Sequence, residues 1–127
     1  MAEKICVSFE TSKALHDAGI VVESLYSWGA EIIVEEYILG YTDSRRFDLQ
    51  MPQYPAPTAD GIERYITNDY NAHNIVMQTH YHEGMTQVWM WISGVYYESK
   101  WDVKRCEALA QLAIKIKGAG YELNKQS

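Results

Sequence analysis

Cysteine is scarce in this chain: only Cys6 and Cys106 occur, near opposite ends and outside any CxxC pair. That is too few for a disulfide framework, and both thiols are expected to be reduced. Long apolar runs are missing too, since nothing approaches the ~20 residues needed to span a bilayer. The opening "MAEKICVSFE" lacks a basic stretch leading into an apolar one, so it does not read as a signal peptide. Basic charge is in short supply, with 11 Lys and Arg against 17 Asp and Glu and a net charge of −6. Arg45-Arg46 is too short a step to build a cationic patch, and Lys104, Arg105, Lys115 and Lys117 fit a solvated helix face. A nucleic-acid binder needs clustered cations to displace counterions. The expectation is a soluble cytoplasmic protein with no nucleic-acid and no membrane partner.

What the chain does have is aromatic surface. Ten tyrosines and four tryptophans stand against two phenylalanines. Tyr and Trp join an apolar body to a polar tip, which suits half-buried positions and contact surfaces. The 127 residues, 47% hydrophobic and 22% charged, match one ordinary globular domain over 1–127. A chain of this size buries about two-thirds of its unfolded surface.

Local patterns set the expected elements. Ser8 can cap a helix with Glu10 in its first turn, and Gly19 can stop it, predicting a helix from about Ser8 to Ala18. Alternation around Ile32, Val34, Glu36 and Ile38, and again at Phe47, Leu49 and Met51, predicts strands. Three are expected, roughly over 23–28, 31–40 and 45–51. Pro55 and Pro57 hold "YPAPT" extended, and Thr58 then caps a second helix over about 58–70. A hairpin follows over 75–95. The last helix is expected to start near Ser99, with Ser99 and Asp102 as a capping pair. Its apolar stripe would be Val103, Cys106, Ala110, Ala113 and Ile116, ending at Gly118 and Gly120 before a polar tail over about 119–127. The order is αβββαββα: an α+β fold with an antiparallel sheet of about five strands and three helices.

Three of these stretches, "ICVSFETSKALHDAGI", "YPAPT" and "CEALAQLAIKIKG", carry a resemblance across most of the chain. They are similar to a group of small uncharacterised proteins of bacteriophage and prophage genomes, notably those of Bacteroides-type gut bacteria. Each shared motif is structural: a capped helix, a proline-held helix start and an amphipathic helix. After "YPAPT" the pattern has a helix rich in Leu and Trp, whereas this chain has "ADGIERYI". The resemblance implies a phage or prophage accessory protein and brings no catalytic residue.

The stretch "QTHYHEGMTQVWMWISG" holds the most chemistry. With Glu83-Gly84 as a two-residue turn, His82 pairs with Met85 and the register follows outward. One face then carries Ile75, Met77, Thr79, Tyr81, Thr86, Val88, Met90 and Ile92, a natural core side. The other carries Val76, Gln78, His80, His82, Met85, Gln87, Trp89 and Trp91. On that second face Trp89 and Trp91 are either covered by a helix as a small second core, or open as a surface for another protein. The expected contact residues are Trp89, Trp91, Val76, Gln78, Met85 and Gln87.

His80 and His82 share the same face, as a zinc-binding His-x-His pair would require. A third ligand would have to come from His73, His16 or a carboxylate such as Glu35, and no spacing recommends one. The plainer reading is two imidazoles on a half-polar sheet face. Cys6 and Cys106 read as small core residues, and no nucleophile motif or phosphate-binding glycine loop is present. The leading expectation is a non-enzymatic protein, without a cofactor, that binds another protein or assembles into a homo-oligomer through the aromatic face. The alternatives are a metal binder or metal-dependent enzyme at His80 and His82, and a ligand-binding inhibitor of a bacterial defence system.

Overall fold

In a computed structural model the chain is described over residues 2–126, with side chains over 3–118. A four-residue turn of helix, α1 (Ala2–Ile5), precedes α2 (Phe9–Asp17). Ser8 caps α2 as expected: its Oγ accepts the Thr11 N–H at 3.2 Å, and Gly19, at φ +75°, lies just past the helix end. Thr58 does the same for α3 (Ala59–Asp69), accepting the Gly61 N–H at 3.3 Å. Ile62 and Ile66 form its buried side.

The strands make two antiparallel sheets of three, not one of about five. The first has the order β2-β1-β3, from β1 (Tyr26–Ala30), β2 (Tyr37–Tyr41) and β3 (Tyr54–Pro55). Residues 31–36, expected as the start of a strand, are instead the turn joining β1 to β2. Glu35 sits at φ +59°, and its N–H returns to the Glu31 carbonyl at 2.8 Å. Ile32, Ile33 and Val34 are exposed there, with no partner strand to bury either set of the alternation. The strand expected over 45–51 is absent: Phe47 makes one isolated bridge to Glu31, and Leu49 and Met51 face solvent. Pro55 takes the edge place instead, in β3 against Ser27, where its missing N–H is least costly. The Phe47 ring lies 2.5 Å from where a Cβ on Gly29 would be, so only glycine fits at that position of β1.

The second sheet has the order β4-β5-β6, from β4 (Ile75–His82), β5 (Met85–Ile92) and β6 (Val95–Glu98). β6 was not expected. It follows a second two-residue turn, Ser93-Gly94, where both residues have positive φ.

The last helix, α4, spans Arg105–Gln126 and is the fourth rather than the third. It begins six residues after Ser99. The Ser99 hydroxyl is spent elsewhere, accepting the Val88 N–H at 3.0 Å, while Asp102 accepts from Lys104 N–H at 3.1 Å. Val103 therefore lies before the helix, 72% exposed, rather than on its apolar stripe. The helix also runs on through Gly118 and Gly120, since a helical glycine costs only about 1 kcal/mol against alanine. Cys106, Ala110, Ala113 and Ile116 are buried as expected, together with Leu109 and Leu112. They share one core with Leu15 of α2, Ile62 and Ile66 of α3, and Val88, Met90 and Ile92 of β5. Among the described residues no helix is long and apolar enough to cross a membrane.

Candidate functional site

The β4-β5 hairpin has the register that its sequence expects. Glu83 and Gly84 both take positive φ, +49° and +77°, the twist that a two-residue hairpin turn needs. His82 pairs with Met85, His80 with Gln87, Gln78 with Trp89 and Val76 with Trp91. Val88, Met90 and Ile92 then turn inward to the core shared with α4. Tyr81 belongs to that side but overhangs it, 73% exposed near the turn.

The opposite face is aromatic, and β6 extends it. Trp91 pairs with Tyr96, and Trp89 with Glu98. The Trp91 and Tyr96 rings lie 5.2 Å apart, Trp89 meets Trp91 edge-on at 6.4 Å, and His80 lies over Trp89 at 3.6 Å. Trp101 stands beside His82 at 6.2 Å. Among the described residues the ring contacts of Trp89 and Trp91 are only with His80, Tyr96 and each other. Neither tryptophan joins the buried core cluster. Val76 is 48% exposed and Tyr96 44%.

One expected contact residue has a different task. Gln87 is buried on this face, accepting the Trp89 indole N–H at 2.7 Å and donating to the Ser99 carbonyl at 2.9 Å. It holds the Trp89 ring in place and is not available to a partner. Met85 is half-buried, whereas Gln78 is open. Tyr96, Glu98 and Trp101 were missed at the sequence level. The Ser-Gly step before "VYYE" was the signal for the first two.

His80 and His82 do share this face, yet their rings turn to different neighbours. His80 lies tilted over Trp89 with its Nε2 buried and unpartnered, while His82 is exposed with the Glu83 carboxylate 3.9 Å away. Of the possible third ligands, His73 bonds Ser93 at the far end of β4, His16 meets Tyr54, and Glu35 is on the β1-β2 turn. Among the described residues no group of three or more His, Cys, Asp or Glu is placed to hold a metal.

The other reactive groups are quiet. Cys6 and Cys106 are buried, and desolvation pushes both thiols up, Cys106 to about 11. A groove of about 380 Å³ between residues 21–23 and α3 contains Tyr65, whose phenol burial and Asp69 push up to about 12. Such groups hold their protons at neutral pH and supply neither a nucleophile nor a base. Comparisons with protein-family models, with curated proteins and with solved structures return no match.

Proposed function

We propose that this chain is a non-enzymatic association protein, a phage or prophage accessory protein working in the cytoplasm through the outer face of its second sheet. The observation that carries this reading is the pair Trp89 and Trp91, half-buried on the face turned away from the core and outside the buried core cluster, with exposed Val76 and Tyr96 beside them. Exposed aromatic groups on a soluble fold mark contact surfaces, and Trp and Tyr dominate the residues that anchor protein interfaces. The Trp91 indole N–H makes no hydrogen bond among the described residues, so a donor stands free beside an apolar ring. Glu98 is the only formal charge among the paired outward residues of β4, β5 and β6. The tryptophans therefore lack the cationic groove that would let them stack nucleic-acid bases. The phage assignment rests on the three helix-start and helix-stripe motifs.

Trp91→Ala and Trp89→Ala test the reading. Assembly, followed by light scattering and native mass spectrometry, should weaken by at least about tenfold, the scale of an interface anchor. The far-UV circular dichroism should stay native. If both variants unfold, the tryptophans are core residues and the proposal fails.

A further inference from the structure

The outermost strand of the second sheet carries a row of backbone groups that no neighbouring strand among the described residues uses. β4 is an edge strand, paired with β5 on one side only. Which of its residues point outward follows from bonds on the far side of β5. Thr86 exchanges both backbone bonds with Asp102, at 2.6 and 2.9 Å. The Val88 carbonyl accepts from Ser99 N–H at 3.0 Å, and the Val88 N–H donates to the Ser99 hydroxyl. Both residues thus spend their backbone away from β4. Their cross-strand partners, Tyr81 and Thr79, must likewise face away from β5, and the alternation extends to Met77 and Ile75. Arg105 reaches this edge only through a side-chain bond, Nε to Thr79 Oγ1 at 3.1 Å.

Natural edge strands are usually blunted by lysine, proline, a bulge or an inward charge. "IVMQTHYH" has none of these. In a chain with a net charge of −6, these eight residues contain no Asp, Glu, Lys or Arg. Two copies can therefore meet along this strand without like charges of β4 facing each other, and Arg105, held at Thr79, has its counter-charge in Glu63 at 3.3 Å.

We infer that β4 pairs antiparallel with β4 of a second copy about a two-fold axis at Gln78, joining two three-stranded sheets into one of six strands. The outward-facing residues Ile75, Met77, Thr79 and Tyr81 are disposed symmetrically about Gln78. Only an axis there pairs all of them within the strand: Ile75 with the partner's Tyr81, and Met77 with the partner's Thr79. A slip of one residue would bring the core side of one copy against the outer side of the other. Axes at Thr79 or Met77 would set a strand residue against Glu83 or His73, outside β4. With the axis at Gln78, Val76 lies opposite the partner's His80 and the two Gln78 side chains face each other. The two aromatic faces then form one continuous surface. This rests on the second sheet being the association surface, and it names a second copy as the partner.

Single cysteines test the seam, because Cys6 and Cys106 are buried. The Gln78 pair is of the non-hydrogen-bonded kind, with Cα atoms about 4.5 Å apart, within reach of a disulfide. Gln78→Cys should give a covalent dimer under mild oxidation. Val76→Cys alone should not, but mixed with His80→Cys it should cross-link. Gln78→Lys should shift dimer to monomer in light scattering with the circular dichroism unchanged. A wild-type chain that stays monomeric at every concentration overturns the inference, as does equal cross-linking by all three single cysteines. A dimer that resists the Gln78 variants yet is lost in Trp91→Ala also overturns the seam, while leaving the aromatic-face reading standing.

Discussion

The thiol of Cys106 is 3% exposed on the inner side of α4, and desolvation raises it from its ordinary 9.0 to about 11 against the pull of Lys104. The unfolded chain releases this proton near pH 9 and the folded chain only near 11. Between those values the folded state holds a proton that the unfolded state has lost. The stabilisation is therefore complete below pH 9 and disappears as pH rises through 11, by on the order of 2–3 kcal/mol. Urea midpoints measured across this window should fall for the wild type and fall less for Cys106→Ala. Tyr65 has the same sign in a higher window, up to about 12, so the difference between the two proteins isolates the thiol. Both cysteines were legible as core residues from the apolar stretches around them. Gln87 was not, because a strand pattern assigns a face and says nothing of side-chain bonds. Only the fold brings the Ser99 carbonyl and the Trp89 indole to the two ends of its amide.

Elements whose signals were local came through the sequence clearly. The α2 cap, the α3 cap and the β4-β5 register each depend on residues within a few positions of one another. Ser8→Ala removes one such signal. It should lower stability by about 0.5–2 kcal/mol in urea denaturation, with the slope unchanged because the same surface is still exposed on unfolding. Where the reading went wrong, the deciding partner was distant or already engaged. Residues 31–36 alternate like a strand, but only Glu31 finds a partner, in an isolated bridge to Phe47, so Ile33 ends 88% exposed. β3 is two residues long and exists only because β1 has a free edge to take it. Ser99 looks like a helix cap, but the Val88 N–H has its hydroxyl. The face of the second sheet was readable in outline from the alternation of β4 and β5. Its β6 border was not, since Ser93-Gly94 is a weaker hairpin signal than Asn-Gly or Asp-Gly.

At the scale of the molecule, α4 lies at the centre of the core. The two sheets share no strand; Leu109, Leu112 and Ile116 pack with residues of α2, α3 and β5, and Tyr26, Trp28 and Leu39 of the first sheet pack against that same core. Protection from hydrogen exchange should follow that arrangement. Amides of β5 and of the buried stretch of α4 should be the slowest, and those of residues 31–36 and 43–51 among the fastest, when read by mass spectrometry or NMR. The position of α4 in the chain has a further consequence, for the nascent protein. β4, β5 and β6 are sequential neighbours closed by two short turns, so the whole meander can form while the polypeptide is still being made. Its inner face, with Val88, Met90 and Ile92, gains its lid only when α4 has left the ribosome. At roughly 5–20 residues per second, that interval is long compared with hairpin formation. For that time the sheet has apolar side chains on both surfaces, and the growing chain has to be shielded by its surroundings before it can shield itself.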